Sequence, residues 1–392
     1  MRIGVDACCW SNRRGYGRFT RELLSALLEY DTGNQYVALV DAQTAATGDF
    51  PKSLNPVIVH TSRQPSQAAS TLSHRSARDL LAFTRAAQKQ NFDVFFFPSV
   101  YSYFPLLRRA RVILGIHDVM AEQHPELIFP NKKDRFFWRI KMRAALKSAN
   151  LIVTVSEHAR RGILEQFHWP PARVRVVREA PAKVFAPVQD LARTRSVKLR
   201  YGLPAEGRFI LYVGGMGPHK NLDTLIRGYA TLLQSRRVGN VVMAMVGDKA
   251  DVFYSQYPAL QETAQKLNLS QSVVFTGFVP DEDLACLYSA TELFVLPSHD
   301  EGFGLPAVEA MACGAPVAVS ASGALPEVVG DAGLLFDPSH NGELHDALSF
   351  VLLDQGLQSK MRAKSLQRAA QFSWRQAAQE MKTIFAEVAE KA

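Results

Sequence analysis

The chain of 392 residues holds only four cysteines, and none stands at the spacing of a metal-binding pair. Cys8 and Cys9 are adjacent and Cys286 and Cys313 are isolated, which suits neither a zinc site nor a secreted disulfide framework. A reducing compartment is the expectation. Long apolar runs are also missing, because no segment reaches the roughly 18 residues that a membrane-crossing helix needs. The amino-terminal MRIGVDACCW is too brief for a signal sequence. The expected location is cytoplasmic, with peripheral contact at the inner face of a membrane left open. Polar low-complexity tracts are lacking too, since charged residues make up 21% and apolar ones 47%, an ordinary globular balance. Lys and Arg outnumber Asp and Glu by 45 to 37, a net charge of +8 that favours anionic partners. Interleaved aromatic and basic motifs are not found, so no nucleic-acid partner is expected.

The chain is long enough for two domains of roughly 150 to 200 residues each. Short β-branched or aromatic runs alternate with helical patterns, as in parallel α/β sheets. The first half gives strands at Ile3 to Asp6, Tyr36 to Val40, Val57 to His60, Val94 to Phe97, Val112 to Ile116, Leu151 to Val155 and Val174 to Val177. The second gives Ile210 to Val213, Val241 to Val246, Val273 to Phe275, Leu293 to Leu296, Val317 to Val319 and Leu334 to Phe336. Between them EAPAKVFAPVQD has prolines and no period, which places a linker near Ala182 to Asp190, a first domain over 1–182 and a second over 190–375. Near the carboxyl terminus, Trp374, Ala377, Ala378, Met381, Ile384, Phe385 and Val388 fall on one helical face. Ligands of open parallel sheets bind beyond the carboxyl ends of the strands, so the expected site is a cleft between the domains.

The segment PSHDEGFGLPAVEAMACGAP places Glu301 and Glu309 on either side of a glycine turn that opens a helix. Gly302 and Gly304 permit close backbone approach, Pro306 suits a first helical turn, and the free N–H groups there attract a diphosphate or a sugar. A strand running into three glycines and Lys220, in LYVGGMGPHKNLDTLI, makes a second anion site. GIHDVM delivers His117 and Asp118 at the end of a strand, with Asp118 expected to orient the imidazole or the loop. RRGYGRFTRELL offers Gly15 and Gly17 for backbone approach, with Arg18 and Arg21 adding charge. Asp281 and Asp283 have a DxD spacing, but Pro280 followed by acids and then Leu284, Leu287 and Tyr288 reads as a helix start, so no metal site is expected.

Taken whole, the pair of glutamates separated by seven residues resembles the signature of the family 4 retaining glycosyltransferases, the glycosyl transferases group 1 of the GT-B fold. That resemblance implies an α/β chain of two Rossmann-like, doubly wound parallel-sheet domains facing across a cleft, with a carboxyl-terminal helix over 376–392 returning to the first. It implies that Glu301 contacts the transferred sugar and Glu309 the nucleotide ribose. Backbone groups of Gly302, Phe303, Gly304 and Leu305 would lie against sugar and phosphates, and those of Phe278 and Val279 against the nucleobase. Lys220 and His117 would stabilise the departing pyrophosphate, so that His117, Lys220 and Glu301 form the catalytic set. The chain departs from the family in having Gly215 where an arginine is common. The activity implied is retaining transfer of a hexose from a nucleoside-diphosphate sugar to a glycan or lipid-linked glycan acceptor in surface polysaccharide biosynthesis, without metal or other cofactor. IHDVMAEQHP together with YVGGMGPHKN looks most like members that build bacterial surface polysaccharides, often mannosyltransferases, which makes GDP-mannose a first guess for the donor. A GT-B epimerase and a noncatalytic sugar-nucleotide binder are the alternatives.

One further segment stands apart. In PNKKDRFFWRIKMRAAL, Lys132, Arg135, Arg139 and Arg143 align at helical spacing while Phe136, Phe137 and Ile140 share an apolar face. Such a helix either lies on an anionic membrane or packs Phe136 and Ile140 on the sheet, and the second reading is preferred.

Overall fold

The computed structural model describes all residues except 13–14, 47–49, 52, 55, 63–75, 108–109, 249–255 and 391–392. The first two arginines of RRGYGR and the last two positions of the expected terminal helix therefore lie outside the described residues. The chain divides into two compact units, Met1–Glu179 with Ser373–Ala392, and Ala180–Phe372.

The first unit is built on a seven-stranded sheet ordered β3-β2-β1-β4-β5-β6-β7. Its strands are β1 (Arg2–Asp6), β2 (Gln35–Asp41), β3 (Val57–Val59), β4 (Val94–Phe97), β5 (Arg111–Gly115), β6 (Leu151–Thr154) and β7 (Val174–Val176). All pairings are parallel. The inner strands β1, β2, β4, β5 and β6 are buried along nearly their whole length, which is why they read as continuous apolar runs rather than alternating ones. One core gathers Phe83, Phe95, Phe97 and Phe104 with Leu114, Ile152 and Ile163. The helix Trp374–Glu390 belongs to this unit and buries the seven residues of its apolar face. It packs along the helix Gly15–Tyr30, where the rings of Phe19 and Trp374 lie 6.0 Å apart. Lys382 Nζ also reaches the buried Asp31 at 3.3 Å.

The second unit carries a six-stranded parallel sheet ordered β10-β9-β8-β11-β12-β13. Its strands are β8 (Arg208–Val213), β9 (Val241–Val246), β10 (Val273–Gly277), β11 (Leu293–Leu296), β12 (Val317–Ser320) and β13 (Leu334–Phe336). In both sheets the order reverses beside the first strand of the unit, β1 or β8. That reversal is the topological switch point where open α/β sheets hold ligands beyond their carboxyl ends.

The basic helix, Lys132–Ser148, corrects the preferred reading of its apolar residues. Asn131 caps it through Asp134 N, and the residues it buries are Trp138, Met142 and Ala145. Phe136 and Ile140 do not pack on the sheet: they are 59% and 49% exposed, with Phe137 at 39%. The helix has two apolar faces, and the one carrying indole, thioether and methyl groups is the one the core takes. Trp138 fixes the choice, because its Nε1 donates to Glu122 Oε1 at 2.7 Å and its ring stacks near Tyr101.

Candidate functional site

In the second unit β8 ends at Val213 and runs through Gly214, Gly215, Met216 and Gly217 into a single 3-10 turn, Pro218–Lys220. The loop is pinned at its start. Gly214 N donates to Val246 O at 3.0 Å, and the buried Tyr212 hydroxyl donates to Gly215 O at 2.5 Å. Gly215, where the family commonly has arginine, thus contributes a fixed carbonyl. Burial, with the nearby negative charge of Glu301, holds the Tyr212 hydroxyl well above its ordinary pKa, so it stays a donor.

The loop after β11 comes alongside. His299 N donates to His219 O at 2.8 Å, which sets the register of the two loops. Glu301 Oε1 then lies 2.6 Å from Lys220 Nζ, and Ser298 Oγ donates to the same oxygen at 2.6 Å. Ser298 is itself anchored, its carbonyl accepting from Ser320 Oγ at 2.5 Å. Lys220 and Glu301 are 16% and 13% exposed, which leaves the pair reachable from outside while largely screened from water. A charge pair so placed is electrostatically stronger than one in bulk solvent.

The helix Leu305–Ala312 begins directly after this loop. Gly304 stands at its amino-terminal cap with φ of +95°, a conformation that side-chain-bearing residues rarely adopt, and a Cβ there would strike Leu325. Phe303 is buried edge-on against Phe372 at 5.7 Å, so the turn is held from beneath. Glu309 is not a solvated helix residue. It is 3% exposed, with the Tyr288 hydroxyl donating to its Oε2 at 3.4 Å. The neighbouring Cys313 thiol is pushed up to about 12 by burial and by the charge of Glu309. At the end of β10, Phe278 is 45% exposed while Val279 is buried.

Three residues that contact the candidate site residues had no signal strong enough to single out from the sequence. Ser298 precedes the motif as an ordinary loop serine. Gly323 adopts φ of +63°, and a Cβ there would come within 2.5 Å of both Glu301 N and Asp300 Oδ1. Its turn is joined to Glu301 by Ala324 N donating to Glu301 O at 2.9 Å. The third, Glu179, belongs to the first unit.

There, β5 delivers His117 just past Gly115, as expected. The Nε2 atom lies 2.9 Å from Pro98 O, and Nδ1 lies 3.5 Å from Glu179 Oε1. Phe19 meets the ring edge-on at 4.7 Å. Asp118 accepts from Met120 N at 3.0 Å and so braces the loop, while Glu179 takes the place beside the imidazole. Gly15 opens the helix Gly15–Tyr30 in an exposed position. At Gly17 a Cβ would strike Asn12 O, which explains the glycine by close packing of the loop. Arg21 does not stand ready for a ligand, because its Nη1 donates to Trp10 O and Asn12 O and ties the loop to the helix. Asp281 and Asp283 lie in the first turn of the helix Asp281–Ala290. Asp283 Oδ2 is taken by Arg200 at 2.6 Å and by the Tyr201 hydroxyl at 2.9 Å, an arrangement that anchors a helix start.

The structure thus brings Lys220 and Glu301 into contact, and sets Gly302, Phe303, Gly304 and Leu305 immediately after them, with Glu309 one turn into the helix. His117, Gly15 and Gly17 gather at the carboxyl edge of the other sheet.

Two family models match the chain: Glycosyltransferase Family 4 over residues 13–179 and Glycosyl transferases group 1 over residues 196–368. Among curated proteins, O-antigen chain mannosyltransferase B of Escherichia coli is 34% identical over 270 residues, which cover 68% of each chain. The serotype-specific mannosyltransferase WbdA of Escherichia coli is 33% identical over 269 residues, 67% of this chain and 32% of that longer protein. Among solved structures, sucrose-phosphate synthase from Thermosynechococcus elongatus superposes with a TM-score of 0.75 at 20% identity over 100% of both chains. WaaG, a glycosyltransferase involved in lipopolysaccharide biosynthesis, gives 0.75 at 16% identity over 98% of this chain and 99% of its own. The two structural likenesses speak for the fold.

Proposed function

This chain belongs to the family 4 glycosyltransferases of the GT-B fold, and we propose that it transfers a hexose from a nucleoside-diphosphate sugar to a glycan or lipid-linked glycan in surface polysaccharide assembly. The observation that carries the reading is the contact of Lys220 with Glu301 beside a glycine-capped helix start. A cation, a carboxylate and the amino-terminal end of a helix within one short path suit a pyrophosphate joined to a polyol. Mannose is the sugar to test first, because two relatives above 30% identity are named mannosyltransferases.

The leaving group is already an anion, so the reaction needs charge stabilisation more than a proton. In the proposed step the bond from the sugar C1 to the phosphate oxygen breaks and a bond from C1 to the acceptor oxygen forms on the same face. The acceptor's proton passes to the departing phosphate. Lys220 and the helix start steady the developing charge, and Glu301 holds the sugar hydroxyls. No enzyme carboxylate is required as nucleophile, unlike the paired carboxylates of retaining glycosidases. Metal independence is part of the proposal, since Asp281 and Asp283 serve a helix start and Asp283 is occupied by Arg200.

The test is incubation with a panel of nucleotide sugars and a lipid-linked or glycan acceptor, with the product's anomeric configuration read by NMR. Transfer of mannose from GDP-mannose with retention, unchanged by EDTA, is expected. Donor consumption without acceptor would favour an epimerase or hydrolase, and binding without turnover would favour a noncatalytic binder.

No helix among the described residues is long and apolar enough to cross a membrane. Contact with an anionic membrane is nevertheless part of the proposal, because Phe136, Phe137 and Ile140 stand exposed among Lys132, Lys133, Arg135, Arg139 and Arg143. Cosedimentation with vesicles containing anionic lipid is expected to fall when Arg135, Arg139 and Arg143 are reversed to Glu. Binding indifferent to that change would remove the membrane from the account.

A further inference from the structure

His117 is held by two acceptors at once. The atom facing Nε2, at 2.9 Å, is the carbonyl oxygen of Pro98, which has no proton to give. Nε2 must therefore carry the hydrogen. If the ring were neutral, Nδ1 would turn a lone pair toward Glu179 Oε1 at 3.5 Å, placing electron density against a carboxylate. A hydrogen between Nδ1 and Glu179 Oε1 removes that conflict, and carried on Nδ1 it gives the ring a full positive charge.

The surroundings keep this arrangement from relaxing. Pro98 follows β4, and its carbonyl is fixed where a Cβ on Gly115 would strike it, so the glycine at the end of β5 is required for the contact. Glu179 closes the segment after β7 and is 4% exposed. A carboxylate so buried is strongly unfavourable without a counter-charge. The charged groups facing the ring are Glu179 and the adjacent Asp118, while Phe19 and Pro98 are neutral. Burial alone would lower the imidazole pKa, but Glu179, the Pro98 carbonyl and Asp118 outweigh it and hold it above the ordinary value.

We propose that Glu179 is a positioning residue that keeps His117 doubly protonated, so that the imidazole offers a fixed positive charge to an anionic phosphoryl group and does not serve as a base. This rests on the glycosyl-transfer reading only for its use; the protonation state stands by itself. A fixed cation at the carboxyl edge of the sheet would stabilise a departing pyrophosphate without any proton changing hands.

Two measurements test it. Nitrogen-15 NMR of the histidine rings, with His117 assigned by its disappearance in His117→Asn, requires no substrate. Both ring nitrogens of His117 are expected to be protonated at pH 7, and a neutral single tautomer in the wild-type protein would overturn the proposal. The second is the pH profile of transfer in Glu179→Gln and Glu179→Asp. In Glu179→Gln the alkaline limb is expected to move down by about one pH unit, a tenfold loss of the charged form at a given pH, while Glu179→Asp restores most of the shift. An alkaline limb unmoved in folded Glu179→Gln would overturn it. Should transfer itself fail while NMR shows the imidazolium, the reaction assignment falls and the charge assignment stands.

Discussion

The two units treat their cations differently. His117 is clamped by a backbone carbonyl and a buried carboxylate that belong to the scaffold. Lys220 is bonded to Glu301, itself a candidate for holding the sugar, and Glu301 shares the same oxygen with Ser298. One positive charge is held by the scaffold, and the other by a carboxylate that is itself proposed to meet the ligand. The difference teaches that positive charge alone does not define such a site. A fixed cation would act on a phosphate without rearrangement, whereas on the proposed reading Lys220 would exchange part of its hold on Glu301 for a phosphate oxygen.

The largest effects should come from breaking the exchangeable pair. Lys220→Ala and Glu301→Ala are each expected to lower kcat by about 10²- to 10³-fold, with circular dichroism and Tm close to wild type. Steady-state kinetics on the nucleotide sugar check this. Near-normal turnover of both variants would leave the pair a mere structural bridge.

Gly323→Ala sharpens the same point without touching either charge. Its φ of +63° and the proximity of Glu301 N, at 2.5 Å from an added Cβ, force the loop carrying Glu301 to shift. A displacement on the order of 1 Å costs about 10²-fold in rate, so turnover should fall while donor affinity, measured by calorimetry, changes less.

How much of this was legible from residues alone varies with the kind of signal. The thirteen strands among the described residues were visible as short runs rich in β-branched and aromatic residues, the form that strands of a largely buried parallel sheet take. The terminal helix was equally plain, since its apolar face repeats without interruption from Trp374 to Val388. Glu179 was hidden because its meaning comes from the parallel stacking of β5, β6 and β7, which carries it to His117 from a distant part of the chain. Gly323 was hidden for the same reason: a lone glycine in SASG does not announce that Glu301 lies against it. The basic helix misled because it has two apolar faces, and periodicity alone does not say that Trp138 will find Glu122.

A subtler contrast lies within the first unit. Burial raises the Glu122 carboxyl to about 7, whereas His117 owes its raised pKa to partners that overcome burial. Glu122 takes up a proton on folding, so its contribution is fully present below its unfolded value near 4.5 and is lost as pH rises through about 7. Glu122→Gln should flatten the fall in Tm between pH 5 and 8, corresponding to about 2–3 kcal/mol. Thermal melts across that range decide it, and an unchanged slope would contradict the assignment.

The smallest effect is expected at the pair of Arg200, itself 59% exposed, and Asp283, 2.6 Å apart. Asp283→Asn should cost about 0.2–1 kcal/mol in stability and leave both turnover and its insensitivity to EDTA unchanged. A large loss of activity restored by added Mn²⁺ would revive the metal reading.

The account's central claim is that Lys220 and Glu301 receive an activated sugar. The most direct measurement is calorimetric titration of GDP-mannose, and of the other nucleotide sugars in the panel, into wild-type protein and Lys220→Ala. The account predicts saturable binding of at least one donor to the wild type and a loss of affinity of about tenfold or more, worth about 1.4 kcal/mol, in the variant. Equal affinity of wild type and variant for the donor that binds would contradict it.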